Sequence, residues 1–301
     1  MNFNIQKIDS FTGHRDCIYT LSEGINANSF FSAGADGMVV NWSTLSPDLG
    51  RPLVKVQNSI YSILHNKENN ELLVANNFEG IHLINSDSLK ETASLKLGNA
   101  SFFDIKTYQN LLFVGDNLGQ IHVIDKETLS FKKHLKASEK SVRSIAINEN
   151  TGEMAVAYSD WLIRVFDLDT YKLKFVLKGH KNSVFTLKYI NNGKVLVSGS
   201  RDAHLLVWDA ENNYNLQLDI PAHLYAINDI IFLEGLNLLA SCSMDKSIKL
   251  WNADNLKLVK VIDKARHAGH ATSINKLLWI NETQTLLSAS DDRTISMWKL
   301  F

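Results

Sequence analysis

The stretch SGSRDAHLLVW, Ser198–Trp208, decides how this chain folds. Apolar and β-branched residues lie on both sides of a polar Arg-Asp-Ala turn, which reads as two short strands joined tightly. Asp202 stands four residues after Ser198 and six before Trp208, and the same spacing returns three times. Ser32, Asp36 and Trp42 carry it around AGADGMVVNW (33–42), Ser241, Asp245 and Trp251 in SCSMDKSIKLW (241–251), and Ser288, Asp292 and Trp298 in SASDDRTISMW (288–298). A histidine precedes each copy: His14 in TGH, His180 in KGH, His223 in PAH and His270 in AGH.

Weaker copies fill the interval between the first and second of these: ELLVANNFEGIHLIN (71–85), LLFVGDNLGQIHVID (111–125) and EMAVAYSDWLIRVFD (153–167). With Glu79, Leu118 and Asp160 at the Asp position, the series 36, 79, 118, 160, 202, 245, 292 has steps of 39 to 47 residues. The apolar residues opening each copy, Ile18, Ile60, Phe102, Val142, Val184, Ile227 and Ile274, give an independent register with the same seven members. Such a period marks a repeat architecture in which each unit buries its face against its neighbours. Each copy reads as four strands; in the fifth they are SVFTLKYI, KVLVSGS, HLLVWD and YNLQLDI.

The set His, Ser, Asp and Trp, with the one literal Trp-Asp pair at Trp208-Asp209, resembles the WD-repeat family, and the resemblance covers essentially the whole chain. It implies an all-β fold, a seven-bladed β-propeller of four-stranded antiparallel blades, forming one domain over residues 1–301. The seventh copy ends at Phe301 after three strands, so the resemblance also implies that the N-terminal segment, about residues 2–9, supplies its fourth strand. Full closure of this kind removes exposed strand edges.

A recurring His, Ser and Asp invites a hydrolase reading. Four copies, each with a Trp at one fixed place, favour the structural alternative. The resemblance implies a hydrogen-bonded chain from Trp through Ser and His to Asp in blades 1, 5, 6 and 7. Blades 2, 3 and 4 carry Asn85, Ile124 and Phe166 where the Trp is expected, and Ser138 replaces the fourth histidine. They are expected to rest on apolar packing and to open more easily.

The family binds partners on the face carrying the Gly-His loops and tight turns, around the central channel. One position there follows each opening anchor: Tyr19, Tyr61, Phe103, Arg143, Phe185, Asn228 and Asn275. The other precedes each turn Asp, and includes Phe78 and Arg201. Trp161 follows Asp160 where small or charged residues stand in the other copies, and is weighed evenly between partner binding and packing. Aromatics and Arg dominate binding hot spots. Tyr19, Tyr61, Phe78, Phe103, Arg143, Trp161, Phe185 and Arg201 are therefore the expected partner contacts.

Lys plus Arg (31) balances Asp plus Glu (32), giving no global field for nucleic acid or anionic lipid. No apolar run approaches the ~20 residues that span a bilayer. Only two cysteines occur, Cys17 and Cys242, so a reduced cytoplasmic setting is expected. No Gly-rich phosphate loop is present, and His267 with His270 reads as a loop residue beside a structural one rather than a metal pair. The expectation is a non-enzymatic scaffold with no cofactor or metal, monomeric by itself within a larger complex, with protein partners and neither nucleic acid nor membrane. The competing reading is a propeller enzyme or small-molecule binder using the central channel.

Overall fold

The computed structural model describes residues 4–301. It is a seven-bladed β-propeller: seven sheets, each of four antiparallel strands. Blade 1 consists of Ile18–Glu23, Ser29–Gly34, Met38–Ser43 and Ser46–Lys55. Blades 2 to 6 repeat the order from Ile60, Phe102, Val142, Val184 and Ile227. Blade 7 takes Ile274–Ile280, Thr285–Ser290 and Thr294–Leu300, and its fourth strand is Ile5–Thr12. That strand runs antiparallel from Ile5↔Leu300 to Thr12↔Thr294. It starts later and ends later than expected, and residues 2 and 3 of the expected segment lie outside the described residues.

Position within the blade sets composition. Second strands are buried on both faces, as in Ser29–Gly34 and Leu238–Ser243, and their sequences combine apolar side chains with small ones. Fourth strands are largely exposed, as in Asn215–Pro221, and they carry the polar alternation that blunts an edge.

Two compact units make up the chain. One contains the residues up to Phe102 together with Ile231–Phe301. Its core includes Phe11, whose ring meets Phe30 edge-on at 4.9 Å and Trp42 at 5.6 Å, so the closing strand is held by packing as well as by its ladder. The other unit is Phe103–Ile230. Phe113, Val142, Tyr158 and Phe166 form one of its clusters, and Val184, Leu196, Trp208 and Tyr214 belong to another. A single-turn helix, Lys264–His267, is capped by Asp263, whose carboxylate accepts from the Arg266 N–H.

Candidate functional site

In blade 1 the Trp42 indole N–H donates to Ser32 Oγ at 2.7 Å, Ser32 Oγ lies 2.7 Å from His14 Nε2, and His14 Nδ1 lies 2.9 Å from Asp36 Oδ2. Blade 5 repeats the chain through Trp208, Ser198, His180 and Asp202 at 2.9, 2.8 and 3.0 Å. Blade 7 does so through Trp298, Ser288, His270 and Asp292, each step at 2.9 Å. In blade 6 Trp251 donates to Ser241 Oγ at 2.9 Å, and His223 is buried. One proton assignment satisfies the complete chains. His Nδ1–H donates to the carboxylate, the Ser hydroxyl donates to Nε2, and the Trp N–H donates to the same oxygen.

The arrangement has the order of a catalytic triad without its access. Ser32, Ser198, Ser241 and Ser288 are each 0% exposed, and no substrate carbonyl can reach the oxygen. The Asp carboxylates instead organise the turn. Asp202 accepts the backbone N–H groups of Lys181 and His204 at 2.7 and 3.0 Å. Burial pushes its pKa up, but the bonds from His180 and Lys181 outweigh that and hold it at about 2.

The middle blades keep apolar packing, with Ile124 and Phe166 buried where the Trp stands elsewhere, but they also carry polar anchors that were not expected. In blades 1, 5 and 7 the chain Ser pairs across the sheet with the third strand: Ser32↔Val40, Ser198↔Leu206 and Ser288↔Ser296. In blades 2, 3 and 4 the same pairs read Val74↔His82, Val114↔His122 and Val156↔Arg164. The second-strand Ser has become Val, and a basic side chain on the third strand faces it. Arg164 makes a two-pronged contact with Asp160, Nη1 to Oδ1 at 3.1 Å and Nη2 to Oδ2 at 2.8 Å, and Ser138 Oγ donates to Asp160 at 2.7 Å. His122 Nε2 lies 3.0 Å from Asp116 Oδ2, and His82 Nε2 lies 3.5 Å from Glu79 Oε2. These blades keep a polar anchor for the turn and move it one strand outward.

The same ladder corrects the alignment of blade 2. Ala75↔Ile81 corresponds to Ala33↔Val39 and Gly199↔Leu205. Phe78, not Glu79, therefore occupies the turn-Asp position, and Ile84, not Asn85, occupies that of the Trp. Asn77, not Phe78, is the residue preceding the turn position. The backbone differs too. Phe78 itself adopts a left-handed conformation at φ 66°, whereas elsewhere the following residue does so: Gly37, Gly119, Trp161, Ala203, Lys246 and Arg293.

The positions after the opening anchors share a cause. In blades 1, 2, 4, 5 and 7 the ladder shifts there, between Ile18 and Thr20, Ile60 and Ser62, Val142 and Ser144, Val184 and Thr186, and Ile274 and Lys276. Tyr19, Tyr61, Arg143, Phe185 and Asn275 are each the extra residue of a β-bulge, a device that re-aims a side chain out of the sheet's alternation. In the first unit the rings of Tyr19 and Tyr61 lie 4.9 Å apart. Burial, with Cys17, Tyr61 and two carboxylates nearby, pushes the Tyr19 phenol up to about 12. In the second unit the Arg143 guanidinium lies 4.2 Å from the Phe103 ring centre and 4.7 Å from that of Phe185. All five are half-buried.

Phe78 and Trp161 are about half exposed, at 49% and 51%, and Arg201 is exposed. Leu224 and Tyr225, absent from the expected contacts, are 82% and 64% exposed and follow His223 where Arg15-Asp16, Lys181-Asn182 and Ala271-Thr272 follow the other three histidines. That departure was the available signal. Asp104 accepts the Ile145 N–H at 2.7 Å and pairs with Lys106, so it braces neighbouring blades. His270 has both ring nitrogens engaged by Asp292 and Ser288, which removes it from any metal pair with His267.

Repeated four-stranded blades, loop-histidine hydrogen-bond chains and bulged inner strands define a WD-repeat β-propeller, and residues 5–43 match the family model described as WD domain, G-beta repeat. The chain belongs to the β-propeller family described as Nucleolar protein 10-like, N-terminal domain, whose model matches residues 54–298. It is 22% identical over 274 residues to striatin from Rattus norvegicus, covering 77% of this chain and 33% of that protein. It is 31% identical over 114 residues to the CCR4-associated factor 4 homolog of Candida glabrata, covering 38% of this chain and 17% of that one. The chain thus spans a third or less of the length of these relatives.

Proposed function

We propose that this protein is a non-enzymatic interaction scaffold that binds a peptide or protein segment on the face carrying the Gly-His loops and tight turns. The observation that carries the reading is the guanidinium of Arg143 held between the rings of Phe103 and Phe185, two of these three side chains standing at bulges of inner strands. A cation stacked between aromatic faces is fixed in place, and Arg with aromatic side chains is the combination that dominates binding hot spots. The partner chemistry that suits it is a segment joining a carboxylate to an apolar side chain. Arg201 and Trp161 are proposed as contacts in the same unit, and Tyr19, Tyr61 and Phe78 as contacts in the other.

The competing reading, a propeller enzyme or small-molecule binder, draws no support from the carboxylates. Asp104 is spent on a backbone N–H, and the serines of the histidine chains are inaccessible. No helix among the described residues is long and apolar enough to cross a membrane. A cytoplasmic setting, a monomeric state within a larger assembly, and the lack of nucleic-acid or membrane partners belong to the same proposal.

Affinity capture with the full chain tests it. Proteins retained by the wild type are expected to be lost with Arg143→Ala plus Phe185→Ala at unchanged melting temperature. Identical sets retained by both would place binding elsewhere.

A further inference from the structure

Blade 3 holds a pair of imidazoles that its structural role does not require. His122 on strand Gln120–Asp125 and His134 on strand Ser130–Lys136 are direct cross-strand partners. Their Nδ1 atoms face each other at 3.1 Å, with the ring centres 5.1 Å apart and the planes nearly perpendicular at 85°. The opposite nitrogen of His122, Nε2, is bound to Asp116 at 3.0 Å. Asp116 is itself fixed, accepting the N–H groups of Leu118 and Gln120 at 2.9 and 2.8 Å. His122 is 3% exposed at its side chain, whereas His134 is exposed and packs on the Phe131 ring at 4.7 Å.

The turn is anchored through Nε2 of His122. That bond also fixes the tautomer: with Nε2–H donating to Asp116, Nδ1 presents its lone pair toward His134. A carboxylate behind a histidine, orienting the ring and raising its basicity, is the usual outer shell of a metal-bound imidazole. The separation fits as well. With metal–nitrogen bonds of ~2.05 Å, donors 3.1 Å apart subtend an angle of about 98°, between octahedral and tetrahedral values. Neighbouring lysines are directed elsewhere: Lys132 to Asp125, Lys136 to Glu139, and Lys133 over the Tyr171 ring. Among the described residues no three His, Cys, Asp or Glu side chains converge on one point, so this is not a closed site.

We propose that His122 and His134 form an open, two-nitrogen site for a late first-row divalent cation, of the zinc, copper or nickel class that imidazole suits. Water fills the remaining positions on the exposed His134 side. Binding requires the His134 proton to move from Nδ1 to Nε2, exchanging the shared hydrogen bond for two metal bonds. The ion then clasps the outer strand of blade 3 to the third.

The test uses the purified full chain and Zn2+ alone, followed by calorimetry and by thermal unfolding. One saturable equivalent is expected, with a rise in melting temperature. His134→Ala removes an exposed side chain and should weaken uptake at least tenfold and abolish the rise. Asp116→Asn should weaken uptake 10- to 100-fold, as losses of outer-shell carboxylates do. His267→Ala should change nothing. With Cu2+ in place of zinc, the electron spin resonance spectrum should show two nitrogen donors in the wild type and fewer in His134→Ala. The proposal is overturned if the wild type shows no saturable equivalent, or if His134→Ala binds as the wild type does.

Discussion

At the scale of single residues, the buried hydroxyls carry more than their size suggests. Ser198 Oγ bridges the Trp208 indole and His180 Nε2. Ser198→Ala leaves two buried polar atoms facing a methyl group, a loss of roughly 1–3 kcal/mol each before relaxation. Chemical denaturation should show a destabilisation of at least about 1 kcal/mol, and an unchanged midpoint would mean that the chain contributes nothing. Asp202 makes the pH dependence explicit. Its folded pKa of about 2 lies below the ordinary value near 3.8, so its contribution is complete above about pH 4 and disappears as pH falls through 2. Asp202→Asn should therefore flatten the stability profile between pH 4 and 2 while lowering the plateau above it. A profile parallel to that of the wild type across that window would contradict the assignment.

Elements show how the pattern survives its own degeneration. Blade 4 lacks the loop histidine and the Trp, yet Arg164 and Ser138 converge on Asp160 from the third strand and the loop. Charge-assisted bonds are among the stronger polar contacts. Arg164→Met should cost about 1.5–3 kcal/mol in denaturant unfolding; a cost within experimental error would return blade 4 to apolar packing. Trp161 separates strain from function at the same turn. It sits at φ 73° with half its surface exposed, where the equivalent residues of blades 1 and 3 are glycines. A left-handed residue with a side chain costs about 1 kcal/mol relative to Gly. If Trp161 serves a partner, Trp161→Gly will leave stability unchanged or raised and will weaken capture. Destabilisation with capture intact would assign the ring to packing.

For the whole molecule, closure is the testable feature. Strand Ile5–Thr12 supplies the outer edge of blade 7 and buries Phe11 completely. Deleting residues 1–10 should abolish cooperative folding, and a truncated protein with unaltered thermal unfolding would refute the role given to this strand. We further propose that residues 1–301 behave as a single domain. Calorimetry of the intact chain should then give one transition whose calorimetric and van't Hoff enthalpies agree, and two resolved transitions would contradict this.

By itself the sequence determined the repeat and the blade count, and it marked the residues from which the histidine chains of blades 1, 5 and 7 are built. Spacing along a covalent chain is local information, and hydrogen-bonded turns demand particular side chains at fixed offsets. It failed in blade 2, where Glu79-Gly80 imitates the Asp36-Gly37 pair while the ladder puts Phe78 in the turn position. Which residue takes the left-handed conformation depends on how the two strands pair, and no local offset encodes that. It missed the polar anchors of blades 2 to 4, because replacing a Ser by Val looks like loss until the facing residue is known. Val74, Val114 and Val156 meet His82, His122 and Arg164 only across strands. The apposition of His122 and His134, twelve residues apart, and the stacking of Arg143 on Phe103 and Phe185 are likewise decisions of the tertiary structure. Contacts of this kind depend on register and on bulges, which are set by packing between strands rather than by the order of residues along one of them.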